Sequence, residues 1–289
     1  MIRPPSSAPP PTGGTSAEPG DAATSRWDNP TGGFGYHLRA LLRRGRLWAP
    51  FVHNIARWLA AWSPPETELL LIGPSGGHCL DPAYLARFSR ITAVDIDPFA
   101  PWVFRWRARR LLRTGRTRLT WDAHDYLSPG PQGFSIEPFR ALLAAHPDAA
   151  VLFCNLLGQL PILGDDRAPE YTDASPPPGS YEHWLRALPD ALGDRSWASF
   201  HDRVSGPVCP HGLDDQRPAP WSSTEDLVRL HYPPTDDPAL ALFDHRTDGL
   251  RRDVARWHFV WELAPGLFHL IEALSVQSAP RGATGDRRR

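Results

Sequence analysis

The sequence contains no lysine: all 31 of its basic residues are arginine. Schiff-base chemistry on a lysine is therefore excluded, and so is a phosphate loop ending in Gly-Lys-Ser/Thr. Cysteine is scarce and odd in number, at Cys79, Cys154 and Cys209. A disulfide framework is not expected, and a reducing, cytoplasmic setting is. Long apolar runs are missing as well. The stretch from Ala149 to Leu163 is broken by Asn155, Gly158, Gln159 and Pro161, so no membrane helix and no membrane partner are expected. The first 26 residues have neither the basic flank nor the apolar core of a signal peptide. Charge of one sign is not in excess, since 31 basic and 32 acidic residues leave a net charge of −1. That balance points to no polyanionic or acidic partner.

What remains in these 289 residues is a globular composition, 41% hydrophobic and 22% charged. Residues 1–26 and 280–289 are rich in Pro, Gly, Ser, Thr and Arg, too poor in apolar groups to offset ordering entropy, and are expected to be disordered tails. Residues 27–65 read as a helical cap. Tyr36, Leu38, Leu41 and Leu42 recur at near-helical spacing, and a second stripe runs through Trp48, Phe51, Val52, Ile55, Trp58, Leu59 and Trp62. Packing is the plainer reading of these helices, and a lid over a ligand site is the functional one.

From residue 66 to 279 strands and helices alternate. Glu68–Ile72, Arg90–Ile96, Arg118–Trp121, Ala149–Leu156 and Ser196–His201 read as strands. Asp81–Ser89, Pro98–Thr114, Ile136–Ala145 and Ser180–Leu192 read as the helices between them. The alternation predicts a doubly wound, mostly parallel α/β sheet. Arg256–Leu263 and Leu267–Val276, around Ala264-Pro265-Gly266, read as a β-hairpin. The Pro- and Asp-rich stretches 161–179, 205–222 and 232–252 read as surface excursions.

Polar residues stand at the carboxyl ends of successive strands, where open α/β sheets bind ligands. The first strand runs into Gly73-Pro74-Ser75-Gly76-Gly77, whose glycines allow a tight turn and close approach to the backbone. Asp95 ends the second strand, 22 residues after Gly73, where an acid can accept ribose hydroxyls. Asp97 reads as a helix cap. Asp122 and Asp125 end the third strand, Asn155 the fourth and His201 the fifth.

LLLIGPSGG, AVDIDP, WDAHDYL, CNLLGQL and the closing hairpin resemble the class I S-adenosylmethionine-dependent methyltransferases over residues 66–276. The resemblance implies a seven-stranded Rossmann-like sheet with its last strand antiparallel, and S-adenosylmethionine as cosubstrate. Gly73, Ser75, Gly76 and Gly77 would then approach its methionine part and Asp95 its ribose. Ile96 would pack on the adenine. Asp122 or Asp125 would take the adenine amino group, with Ala123 supplying an N–H. Asn155 would lie near the transferring methyl group. The loop departs from GxGxG spacing, and the fourth strand lacks the Asn/Asp-Pro-Pro-aromatic motif of amino-directed nucleic-acid and glutamine methyltransferases. The acceptor, a small molecule or a protein group, is not legible. His201 is the candidate base for a hydroxyl acceptor, and a buried, hydrogen-bonded histidine is its plainer reading.

Five rivals stand beside this. Gly73–Gly77 formally matches the G-x-S-x-G elbow of a hydrolase with Ser75 as nucleophile, but no earlier strands precede it. A nicotinamide dehydrogenase would want GxGxxG. The arginines and tryptophans of 102–118 could bind RNA, although a solvated helix face is the commoner meaning of such a cluster. His201, Asp202, Cys209, His211, Asp214 and Asp215 fall close together but without zinc spacing, so no metal is expected. A domain that keeps this fold while only binding a partner is the non-catalytic alternative.

Overall fold

A computed structural model describes residues 33–163 and 176–278. The expected tails, the first residues of the cap and part of the 161–179 excursion lie outside the described residues. Two helices come first, α1 (Gly33–Arg43) and α2 (Ala49–Ala61). Strands β1 (Glu68–Ile72), β2 (Arg90–Val94), β3 (Arg118–Asp122), β4 (Ala149–Cys154) and β5 (Trp197–Gly206) follow. Helix α3 (Pro82–Leu85) joins β1 to β2. The β2–β3 crossover holds α4 (Ala100–Arg107) and α5 (Arg109–Leu112). Helix α6 (Glu137–Ala145) precedes β4, while α7 (Leu160–Leu163) and α8 (Tyr181–Leu192) lie between β4 and β5. Beyond β5 come α9 (Thr224–His231), the two-residue β6 (Phe243–Asp244) and the hairpin β7 (Trp257–Ala264) and β8 (Leu267–Val276).

The sheet order is β3-β2-β1-β4-β5-β8-β7, with β6 added to β5. β1 to β5 are mutually parallel, and β8 runs antiparallel to both β5 and β7. This is a Rossmann-like, doubly wound and mostly parallel sheet, with one short strand beyond the seven expected. The period-2 alternation of β1 divides its residues between two cores. Leu69 and Leu71 join one built on Phe51, Ile55, Trp58 and Leu59 of α2. Leu70 and Ile72 join the other, built on Phe139, Leu142 and Leu143 of α6 and Trp184, Leu185 and Leu188 of α8. Four side chains of α2 buried at i, i+4, i+7 and i+8 contribute about 6–12 kcal/mol before ordering entropy, at ~1.5–3 kcal/mol each. Ser180 caps α8 as expected, its hydroxyl accepting from His183 N at 3.2 Å.

Five sequence expectations need correction. Helix α1 buries Gly33, His37 and Ala40 and leaves Leu38, Leu41 and Leu42 in solvent. Its docking face is chosen by polar partners described below, not by its leucines. The helix read over Pro98–Thr114 is interrupted at Ala108 (φ −81°, ψ 5°), and the one read over Asp81–Ser89 is only Pro82–Leu85. β5 continues to Gly206, because its polar residues Asp202 and Arg203 find buried partners across the sheet. The 232–252 stretch is not purely surface, since His245, Thr247 and Leu250 are buried.

Candidate functional site

The glycine loop after β1 is held open by backbone geometry. Gly73 and Gly77 each have φ +65°, and Ser75 is left-handed at φ 47°, a conformation non-glycine residues adopt only when the surroundings compel it. The compelling group is Asp95. Its Oδ2 accepts from Ser75 N at 2.7 Å, while Oδ1 accepts from Asp97 N at 2.9 Å. Burial pushes the Asp95 carboxyl up to about 6, against the pull of these two N–H donors. The carboxylate thus stands at the switch point of the sheet, where β1 is flanked by β2 on one side and β4 on the other.

Asp95 N donates to Asp122 O at 3.0 Å, which draws the ends of β2 and β3 together. Ile96 is 58% exposed on this rim, an apolar surface without a protein partner over it, and Ala123 is exposed nearby. Asp122 accepts from His124 N and from Tyr126 OH, both at 2.9 Å. Burial would raise its pKa, and these donors with the His124 ring hold it below its ordinary value. Asp125 Oδ1 accepts from Leu127 N and Ser128 N, at 3.1 and 2.9 Å. It shapes the turn, so both acids are engaged by local donors.

A cleft opens between this loop and β4, walled by Tyr36, Gly73, Ser75, His78, Asn155 and Phe200, with an interior of about 40 Å3. That is room for little more than a water molecule. Asn155 is left-handed (φ 52°) and buried. Its N donates to Phe200 O at 2.8 Å and its Nδ2 to Asp202 Oδ2 at 3.2 Å. Asn155 Oδ1 and Ser75 Oγ are buried without a hydrogen-bond partner.

The close approaches of Gly76 and Gly77 are taken up by the protein itself. A Cβ on Gly76 would meet Val103 Cγ1 at 2.6 Å and His78 Nε2 at 2.7 Å, and one on Gly77 would meet Phe104 Cδ2 at 2.8 Å. Of the loop, Gly73 and Ser75 wall the cleft and Gly76 and Gly77 serve packing. His201 is fully buried and does not line the cleft. Its Nδ1 lies 2.9 Å from Ser199 Oγ and its Nε2 3.5 Å from Glu272 Oε1. Burial lowers its pKa despite Glu272. The expectation of a base at this position is corrected to a structural histidine.

Three features escaped the sequence reading. Asp97 does cap the following turn, accepting from Phe99 N at 2.9 Å. It also accepts from Gly33 N at 2.9 Å and lies 3.1 Å from His37 Nε2, so it grips the start of α1. His37 Nδ1 lies 3.0 Å from His78 Nε2, and Arg44 Nε donates to His78 O at 2.7 Å, so α1 is seated directly on the glycine loop. Beyond Asn155, Asp202 meets His269 of β8 at 2.8 Å. Only the apolar hairpin pattern around His269 was legible, not its partner.

No family model matches the chain, and no curated protein matches it. Solved structures do. It is similar to the N-methyltransferase NodS from Bradyrhizobium japonicum WM9 in complex with S-adenosyl-L-homocysteine, at 12% identity and a TM-score of 0.38, over 86% of this chain and 90% of that one. It is also similar to the magnesium protoporphyrin IX methyltransferase from Synechocystis PCC 6803. With bound S-adenosylmethionine the match has 13% identity and a TM-score of 0.40, over 90% of this chain and 99% of that one. With bound S-adenosylhomocysteine it has 13% identity and a TM-score of 0.44, over 88% and 99%. At these identities the likeness is one of fold.

Proposed function

We propose that this protein transfers the methyl group of S-adenosylmethionine to a small-molecule or protein acceptor in the cytoplasm. The observation that carries the reading is the Asp95 carboxylate, fastened to the glycine loop through Ser75 N at the switch point of the sheet. The residues around it fit the ligand. Asp95 retains lone pairs for the ribose hydroxyls, Ile96 offers an uncovered apolar face for a base, and Ser75 Oγ and Asn155 Oδ1 are unspent polar atoms for an amino-acid portion. When bound, the sulfonium supplies an electrophilic methyl group. The protein's own part is orientation and exclusion of water, which can supply most of the rate effect for a good nucleophile. Tyr36 of α1 walls the cleft.

The hydrolase reading loses support at Ser75. Its Oγ contacts no base, whereas an activated serine requires one within hydrogen-bond reach.

The test is calorimetric titration with S-adenosylhomocysteine, with NAD as control. Micromolar or tighter binding is expected, about −8 kcal/mol. Asp95→Ala should weaken it by about 10- to 100-fold, the value of hydrogen bonds to a charged group (~1.5–3 kcal/mol). A folded protein that ignores S-adenosylhomocysteine overturns the reading. Unchanged affinity in folded Asp95→Ala overturns the ribose assignment.

A further inference from the structure

Asp202 is a carboxylate removed from water, only 1% exposed. A charge in that position needs a compensating cation or it destabilises the fold. Arginine neutralises the other buried carboxylate of this region, since Glu272 meets Arg203 and Arg256. Asp202 has no such partner. Among the described residues its one ion-pair contact is His269, whose Nδ1 lies 2.8 Å from Asp202 Oδ1.

His269 Nε2 is buried and has no hydrogen-bond partner among the described residues. A second histidine stands beside it. His245 Nδ1 lies 2.6 Å from Gly158 O, a carbonyl that can only accept. The proton of His245 is therefore on Nδ1, and Nε2 keeps its lone pair, 2.9 Å from Ser205 Oγ. A carbonyl on one ring nitrogen that frees the other is the usual outer-shell arrangement of a metal-binding histidine. One candidate ligand atom from each of Asp202, His245 and His269 lies within 4.8 Å of the other two. The three come from β5, the segment after β6, and β8, so the fold and not a local sequence motif assembles them.

We infer that Asp202, His245 and His269 form a binding site for a divalent transition metal of the zinc type. Two imidazoles and one carboxylate suit zinc, cobalt or iron(II) better than calcium or magnesium, which favour all-oxygen sets. A divalent cation neutralises Asp202 and is held by His269 through Nδ1, the ring nitrogen 2.8 Å from Asp202 Oδ1. Its binding draws the donors together from their present spacing and displaces the Ser205 hydroxyl from His245 Nε2. Asn155 Nδ2, on the far oxygen of Asp202, places this site next to the cleft. The inference is independent of the methyl-transfer reading.

The test uses the full chain stripped with a chelator and titrated with ZnCl2, and with CoCl2 followed by visible absorption. One equivalent of zinc is expected at micromolar affinity or tighter, with a cobalt spectrum free of thiolate charge-transfer bands. His245→Ala and His269→Ala remove both ring nitrogens at each position. Each should weaken zinc binding by at least about tenfold. Ser205→Ala removes the group competing for His245 Nε2 and should bind zinc at least as tightly as the parent. Circular dichroism of the metal-free variants reports their folding. The inference is overturned if the parent takes up no zinc at hundred-micromolar metal. It is also overturned if both folded histidine variants bind as the parent does, or if the cobalt spectrum shows thiolate ligation. Titration with S-adenosylhomocysteine in chelator reads the cleft separately.

Discussion

Glu272→Gln should be among the most damaging single substitutions in the protein. Glu272 is fully buried on β8, with Oε2 3.1 Å from Arg203 Nη1 and Oε1 3.2 Å from Arg256 Nε. Both arginines are themselves fully buried. They reach outward from the sheet to the long segment between β5 and β7. Arg203 donates to Ser222 O at 3.2 Å and to Thr224 Oγ1 at 3.1 Å, and pairs with Asp248. Arg256 donates to Leu250 O at 2.6 Å and also to Val254 O. Removing the central charge leaves Arg203 with Asp248 alone and takes from Arg256 the carboxylate it meets, which costs about 3–5 kcal/mol, roughly 6–20 °C in Tm for a chain of this size. Urea unfolding followed by circular dichroism measures the loss.

Acid dependence gives a second signature. Burial alone would raise the Glu272 pKa, but Arg203, His201 and His258 outweigh it and hold the carboxyl well below its usual range. The stabilisation is thus complete above the unfolded pKa, about 4.3, and disappears as pH falls through the lower folded value. The difference between parent and variant should therefore stay constant from about pH 8 to 5 and shrink only below about 4.3. Trypsin should cut the variant faster at the exposed Arg229, because its segment has lost part of its anchor. A variant within about 1 kcal/mol of the parent, with unchanged cleavage, would refute the reasoning.

Gly77→Ala should lose about 2–5 kcal/mol, from a left-handed backbone (~1–2) and the 2.8 Å approach to Phe104 (~1–3). Gly212→Ala, left-handed but with open space around it, should lose only ~1–2 kcal/mol, and equal losses in urea unfolding would sink the packing argument. His78, lowered to about 3 by burial and then by Arg107, His37 and Arg44, stays neutral in the folded state. The unfolded chain takes up a proton below about 6.5, so stability should fall by about 2 kcal/mol from pH 6.5 to 5, a slope that His78→Gln removes. Asp95, raised to about 6 by burial, would on the proposed reading bind ribose best when ionised. Affinity for S-adenosylhomocysteine should therefore weaken as pH falls through about 6, and a flat calorimetric profile would contradict its role.

Much of the fold was legible because its signals are local. ELLLI, RITAV and AAVLFC are apolar on both faces and short, as central parallel strands must be. The hairpin declared itself by its turn, and the glycine loop with Asp95 and Asn155 by position. What was missed depends on partners distant in the chain. The leucines of α1 promised an apolar docking face, yet Asp97, 64 residues from Gly33, seats the opposite one. His201 carried the expected chemistry of a base until Glu272, across the sheet, enclosed it. The extension of β5 was hidden because Asp202 and Arg203 look like loop residues unless His269 and Glu272 are known to face them.

The grip of Asp97 on α1 has a kinetic consequence. If the amino-acid end of the proposed nucleoside ligand enters the cleft, whose interior is about 40 Å3, Tyr36 must move aside. That motion parts Gly33 and His37 from Asp97 and His37 from His78. Association then proceeds through a sparsely populated open form, and its observed rate levels off at the opening rate as ligand concentration rises. The same latch slows departure. Product would linger after transfer, and the turnover of such an enzyme is governed by the unfastening of its first helix.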